Sequence, residues 1–424
     1  MFVLTVLLSL LQILQAETRW SCHRTLVEVT VSPLVNATSI RPLIVSWRTE
    51  TVQPGDYVAL YSTGSSEPLV TVPVTSPSGW VDTGLQENRS AWDTLAFTEQ
   101  CLGYWVSLRR ANSSQAVASS CLGTAPRWME RQREVIQNMS LRNMFLPGTH
   151  NSAAYLENHQ PFRETFVQKY IFNQDRGISR LCHCVQDERV LNQLIYGARV
   201  LDLRIGYYPS TPEIWWANHG VVRLRPLVQV LDDVKLFANM TEEIVVLDFH
   251  HFPVGFQSDS WLVHQALVKY VEDVMSGYLI SPSLGWGAPL SSLWQSGRRI
   301  VLSYNYQGPL MGQYVWPRII QKWGDVRSVI ALHEYLAGVV NRPYPYPWAA
   351  MAELTPAAVD VITGRLGSLR QIAHNVNRNV TEWFRGDWGA LCNIVSVDFL
   401  RSSGVVRAAL DWNLWRARGT NCGS

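Results

Sequence analysis

Neither sign of charge dominates this chain. Its 424 residues carry 36 Lys and Arg against 34 Asp and Glu, a net charge of +2 with neutral histidines. A nucleic-acid partner calls for a basic patch, so none is expected. No long run of one charge reads as a solvated tail. Beyond residue 16 no apolar stretch approaches the ~20 residues that a spanning helix needs, and the C-terminus is too polar for a lipid-anchor signal. Gly-x-Gly-x-x-Gly and P-loop patterns are missing, which removes the usual signatures of an open nucleotide-binding sheet. No internal repeat is found, and the seven cysteines fit no familiar zinc-finger spacing.

What is present begins with residues 2–14, apolar except at Thr5, Ser9 and Gln12, followed by Ala16 and the charged Glu17. This predicts a signal peptide over residues 1–16, cleaved after Ala16, although its start has no Lys or Arg. The alternative, a membrane anchor, needs a longer run. Six Asn-x-Ser/Thr acceptors, at Asn36, Asn88, Asn112, Asn138, Asn239 and Asn379, agree with export. The expectation is a secreted, extracellular glycoprotein whose cysteines are mostly disulfide-bonded. Cys22, Cys101 and Cys121 lie in the N-terminal third, and Cys182, Cys184, Cys392 and Cys422 in the rest. Cys182 and Cys184, one residue apart, cannot easily bond each other. Each is expected to reach a distant partner, with Cys392 and Cys422 as candidates. The odd count leaves one free thiol or one intermolecular bond.

Residues 17–124 read as all-β. Strands are predicted over 26–32, 43–47, 56–61 and 104–108, with turn signals at Pro54-Gly55 and 76–79. Short alternating strands spaced by turns predict a β-sandwich of about 100 residues. Its stretch from Gly55 to Tyr61 is similar to the immunoglobulin-like SKICH type of domain. With no convergent acid, base or nucleophile, the segment reads as a binding or packing module whose partner is not named by the sequence. From 125 to 424, apolar strands are predicted at 143–148, 198–203, 244–249, 299–304, 327–332 and 393–398. Helical spacing lies between them, as in Val190, Leu191, Leu194 and Ile195, or Leu227, Val230, Leu231 and Val234. Alternating β and α predicts a parallel sheet closed into a barrel rather than a doubly wound open sheet.

Active sites in such barrels are built where the strands end. In Leu146-Pro147-Gly148-Thr149-His150-Asn151-Ser152, Pro147 and Gly148 stop the strand and His150 sits at its mouth. Asp202 and Arg204 alternate on the next strand and share a face. Opposite charges there are costly unless they serve a site or a structural ion pair. His219 ends the stretch from Trp215, Asp248 and His250 end a third strand, and Asp398 ends a late one. His250 and His251 are adjacent on a strand and point to opposite faces, so they are not read as a metal pair. The aromatic stretches 316–323 and 344–348 read as barrel-rim packing, with a lipid interface as the alternative.

These stretches closely resemble the phosphatidylinositol-specific phospholipase C X domain. The matching motifs are residues 146–152, Gly197-x-Arg199-x-Leu201-Asp202-Leu203-Arg204, Asn218-His219-Gly220, and the strand through Leu247-Asp248-Phe249, in the same order and at similar spacing. The resemblance covers roughly 125–424 and is greatest to secreted relatives with a single X domain. It implies a distorted TIM barrel that cleaves phosphatidylinositol or a glycosyl-phosphatidylinositol anchor during transient contact with a membrane surface. It implies His150 as general base, His219 as general acid and Arg204 as phosphate clamp. Asp202 matches the acid two residues before that clamp, and Asp398 is the candidate to orient His150. Because Arg204 stands where calcium-dependent members carry an acidic ligand, the resemblance implies a site that needs no metal or other cofactor. Asn151 matches a calcium-ligand position of the signalling enzymes, whereas bacterial members have Asp. His250 stands where bacterial members place an inositol-contacting Lys, so Asn151, Asp248 and His250 are the candidate substrate contacts. Two rivals remain at this stage: a catalytically silent protein that binds a lipid or glycan, and a metal-dependent glycerophosphodiesterase-type barrel. The two histidines with Arg204 argue against the first. The lack of an acidic pair beside His150 argues against the second.

Overall fold

Alternating valines in the N-terminal third give seven strands: β1 (Thr25–Val31), β2 (Pro42–Thr49), β3 (Tyr57–Ser62), β4 (Val70–Pro73), β5 (Ser78–Gln86), β6 (Cys101–Arg109) and β7 (Ala116–Gly123). The computed structural model describes residues 25–35, 41–87, 94–111, 113, 115–155, 184–257, 261–306, 308, 312–357, 360 and 366–419. The expected leader, Cys22, Cys182, Cys422, Asn36, Asn88 and Asn112 lie outside the described residues. The seven strands form two antiparallel sheets, β1-β2-β5 and β4-β3-β6-β7. Val29, Val31, Leu43, Val45, Leu60, Val106 and Leu108 join one buried cluster between them. Burying each such side chain contributes about 1.5–3 kcal/mol, which is why the valine face, and not the β5 face that alternates with solvent, sets the register. A Cys101–Cys121 disulfide ties β6 to β7. Cys392 is a buried free thiol, so the expected bond from Cys182 or Cys184 to Cys392 is not made. Its neighbours are the Gly389 carbonyl and Arg416, and burial pushes the thiol up to about 12.

The rest of the chain builds a parallel sheet. Its strands are β8 (Leu146–Thr149), β9 (Val200–Tyr207), β12 (Val245–Val254), β13 (Ile300–Tyr304), β14 (Val315–Trp316), β15 (Ile320–Lys322), β16 (Trp348–Met351) and β17 (Ile394–Val397). They run in the order β14-β13-β12-β9-β8-β17-β16-β15, every neighbouring pair parallel. The two end strands are joined by only Pro317, Arg318 and Ile319, so the sheet must curl until its edges meet. No ladder closes β14 to β15 among the described residues. Instead the Ile319 amide donates to Ser303 Oγ of β13 at 3.1 Å. A hairpin, β10 (Trp215–His219) and β11 (Val222–Pro226), is added antiparallel to β9. Helices Leu227–Met240, Trp261–Val274, Leu369–Arg385 and Val405–Arg418 lie between successive strands or close the chain. With both faces covered, strands such as β13 and β17 are buried at every residue, as parallel strands require. Among the described residues no helix is long and apolar enough to cross a membrane.

At the N-terminal end of the parallel strands, Arg199 is wholly buried. It donates to Glu243 at 2.8 Å and to the carbonyls of Leu194, Ala198, Ala125 and Pro126, with the Trp128 and Phe237 rings beside it. Two expectations are corrected. Residues 327–332 are not a strand: Ser328 caps a helix, Val329–Val340, by accepting from the Ala331 amide. The buried set there is Leu332, Leu336, Val339 and Val340, at helical spacing, while Ile330 is 74% exposed. Trp316 is no rim residue either. It lies in β14, fully buried, its indole N–H donating to the Ile280 carbonyl at 2.9 Å.

Candidate active site

His150 leaves β8 where Pro147 and Gly148 bring the chain against β17. A Cβ on Gly148 would stand 2.6 Å from Ser396 Oγ, so only glycine fits that crossing. The His150 amide donates to the Val397 carbonyl at 3.0 Å, and the next residue, Asn151, turns the chain with a φ of +43°. The His150 imidazole meets Asp398 at the end of β17. Nδ1 lies 2.7 Å from Asp398 Oδ1, and Nε2 lies 2.6 Å from Arg204 Nη2. A guanidinium only donates, so Nε2 must accept. The proton of neutral His150 is therefore on Nδ1, shared with Asp398, and the Nε2 lone pair accepts from Arg204.

Arg204 and Asp202 do share a face of β9. Their charged groups are 3.6 Å apart, and Arg204 keeps a fifth of its side chain exposed while Asp202 is buried. Asp202 accepts from the Asn151 amide at 2.9 Å and from Gln321 at 3.2 Å. Burial would raise its carboxyl, but Arg204, His150 and His250 together hold it below the usual range. Asp248 is also buried, its oxygens taken by Ser303 at 3.0 Å and by Gln321 at 3.1 Å. His250 Nδ1 stands 3.4 Å from Asp248. Burial lowers the affinity of His250 for a proton, yet Asp248 and Asp202 raise it on balance. His219, half-buried on the β10 hairpin, presents its ring edge-on to His150 with 6.4 Å between ring centres. The fold thus gathers His150, Asp202, Arg204, His219 and Asp398 at the C-terminal mouth of the sheet. Both polar atoms of the buried Asn151 side chain lack a hydrogen-bond partner, as does Asn218 Oδ1. Such atoms are costly to bury unpaired and suit a polar ligand.

Two residues of this site escaped the sequence reading. Glu353 follows β16, is buried, and has one carboxylate oxygen without a hydrogen bond. Burial, with Asp398 and Asp202 nearby, pushes its carboxyl up to about 7 against the pull of His150 and Arg204. In turn His150, which burial alone would push down, is raised by Glu353 and Asp398. Gln321, on the three-residue β15, spans the mouth to hold both Asp202 and Asp248. The available signal was an acid just after a short apolar strand, the same pattern that marks Asp398. It was lost because Trp348–Met351 was not recognised as a strand.

No family model matches the chain. Among curated proteins, the cattle PI-PLC X domain-containing protein 3 is 25% identical over 305 residues, 68% of this chain and 92% of the relative. The variant-surface-glycoprotein phospholipase C of Trypanosoma cruzi is 26% identical over 295 residues, 61% of this chain and 76% of its own. Among solved structures, a phosphatidylinositol-specific phospholipase C of Staphylococcus aureus aligns over 68% of this chain and 97% of its own, with 14% identity and a TM-score of 0.49. Over about two thirds of its length the chain is therefore similar to PI-PLC X domain-containing proteins and to a trypanosome phospholipase C.

Proposed function

We propose that the chain is a phosphoric diester hydrolase of the phosphatidylinositol phospholipase C type, with His150 as general base and His219 as general acid. One observation carries this reading: Nε2 of His150 is an acceptor, held by Arg204 at 2.6 Å, with the His219 ring edge-on and 6.4 Å away between ring centres. The inositol 2-hydroxyl gives its proton to that nitrogen and its oxygen attacks phosphorus. The bond from phosphorus to the diacylglycerol oxygen breaks, and His219 protonates the leaving oxygen. The products are a 1,2-cyclic inositol phosphate and diacylglycerol. Each histidine contributes about 10²–10⁴-fold. Arg204 has five N–H donors and can turn from His150 to clamp the non-bridging oxygens as charge grows on them. Asp398 fixes the His150 tautomer and steadies its imidazolium. Asp202 anchors Arg204, while Asn151 and His250 face the head group.

The curled sheet supports reading the barrel as a distorted TIM barrel, and the paired antiparallel sheets support an immunoglobulin-like sandwich over 17–124. Because Arg204 supplies a fixed cation at the phosphate, turnover needs no calcium. The leader-like N-terminus and the acceptor asparagines support a secreted glycoprotein, which puts lipid-anchored surface proteins within reach besides phosphatidylinositol. The name of the trypanosome relative, a phospholipase C of a surface glycoprotein, supports that substrate class. The deciding experiment offers phosphatidylinositol vesicles in the presence of strong chelator. Cyclic inositol phosphate should appear; turnover that stops with chelator and returns with calcium would overturn the metal-independent mechanism, and no turnover under either condition the enzyme reading itself.

A further inference from the structure

The relatives align with about two thirds of the chain, so a third of it has no role assigned by them. Buried between the N-terminal sheets and the barrel lies a closed set of charges: Arg41, Arg370 and Arg401 against Glu87, Asp187 and Glu188. Arg41 meets Glu87 at 2.7 Å, Glu188 at 2.8 Å and Asp187 at 3.2 Å. Arg401 meets both oxygens of Glu87 and lies 3.4 Å from Glu188, and Arg370 meets Asp187. None of these side chains is more than 11% exposed. Three charges of each sign cancel, which a buried set requires.

The partners of this set are the two segments that hold the His150–Asp398 pair. Next to Asp187, Gln186 donates its amide to the His150 carbonyl at 3.1 Å and to the Val397 carbonyl at 2.8 Å. Its oxygen accepts from the Leu400 amide at 3.2 Å. Three residues before Arg401 stands Asp398 itself, and Phe399 between them has a φ of +46°. Among the described residues only three non-glycines have positive φ, and two of them directly follow His150 and Asp398. Such conformations cost of order 1–3 kcal/mol and persist only where the surroundings impose them. The Phe399 amide is held by the Val185 carbonyl at 2.7 Å, and the Arg370 guanidinium lies over its ring.

We propose that the N-terminal β unit belongs to the machinery of the mouth, with Arg41 and Glu87 as positioning residues for the His150–Asp398 pair. Glu87 fixes Arg401, and so the strained turn that carries Asp398. Arg41 fixes Asp187, and so the Gln186 clamp on His150. The rate arm of the test rests on the function proposed above. The resonance arm does not.

The test compares the full chain with Glu87→Gln and with Glu28→Gln. The latter cuts a different contact of the same interface, Glu28 with Arg385. Two readouts are taken: the proton resonance of His150 Nδ1–H with its titration, and kcat and KM on phosphatidylinositol across pH. The groups facing His150 are Asp398, Glu353, Arg204, Asp202 and His219, and none is altered. Glu87→Gln should shift or broaden the resonance and lower kcat by roughly 10- to 100-fold, as small displacements at a reacting centre do, with KM little changed. Glu28→Gln should lower the melting temperature and leave both readouts in place. If Glu87→Gln melts earlier but keeps the resonance, the pH profile and kcat of the unaltered chain, the β unit is a structural weld and the inference falls. If Glu87→Gln does not fold, Arg41→Lys keeps the charge, loses the branched contacts, and is judged by the same readouts. If the unaltered chain releases no cyclic inositol phosphate, the functional reading fails while the resonance still decides the positioning.

Discussion

Arg199 and Arg204 are five residues apart, the first just before β9 and the second within it, and they do opposite things. Arg199 is wholly buried at the floor, where its N–H groups meet Glu243 and four carbonyls. Arg204 is partly exposed at the mouth, held loosely by Asp202 at 3.6 Å and turned toward a histidine. A cation whose donors are all occupied cannot bind substrate. One that borrows a histidine as a temporary partner can exchange it for phosphate. The floor is satisfied and the mouth is not, and that difference separates structure from chemistry.

If the mouth holds chemistry rather than stability, removing its groups should cost rate and spare the fold. The largest effect is expected from His150→Ala, a loss of about 10³–10⁴-fold on any inositol phosphodiester with the melting temperature nearly unchanged. His219→Ala should lose as much on phosphatidylinositol, whose alkoxide needs a proton, and clearly less on a synthetic ester with a stable anionic leaving group. Equal losses by both variants on both substrates, with chemistry rate-limiting, would break the assigned division of labour.

The comparison itself is tested by the two arginines. Arg199→Met strands the buried Glu243 charge and should lower unfolding free energy by about 3–5 kcal/mol in denaturant titrations. Arg204→Lys should leave stability within about 0.5 kcal/mol and lower kcat by roughly 10²-fold, because a point charge cannot reproduce the planar two-bond clamp. A stable Arg199→Met or an active Arg204→Lys would erase the contrast.

The smallest effect concerns Glu353. Its carboxyl is raised from 4.5 to about 7, so between those values the folded chain binds more protons than the unfolded one. Stability from this group is therefore full below pH 4.5 and lost as pH rises toward 7. The raised His150 acts in the same direction, its contribution fading as pH rises through its folded value. Glu353→Gln should be more stable than the unaltered chain at pH 8 by about 1–3 kcal/mol and lose that advantage at pH 4. Denaturant midpoints at the two pH values give the answer, and equal offsets at both would show that Glu353 is not held protonated.

Much of this was legible in order along the chain. The stretch from Leu146 to Ser152, the alternation of Asp202 and Arg204, and the strand ending in Asp398 carry their own punctuation: proline, glycine and period-two apolar runs. Short strands carry none. Two residues of β14, three of β15 and the small Trp348–Met351 strand fall below any periodicity. With them go Gln321 and Glu353, and the run at 327–332, which reads locally as a strand, is a capped helix. The free Cys392 was equally unreadable, because pairing depends on which segments meet.

By itself the sequence determined the local events: where strands end, which residues stand at those ends, and which side chains share a face. Such events depend on backbone sterics and on spacing within a few residues. Only the tertiary structure decided which strand ends face one another across the mouth. It seated Glu353 against His150, aimed Gln321 at two carboxylates, and set Arg41 and Glu87 behind Asp398 across hundreds of residues of chain. Those placements follow from how a curled sheet closes and how buried charges must cancel, and neither is written in any single stretch.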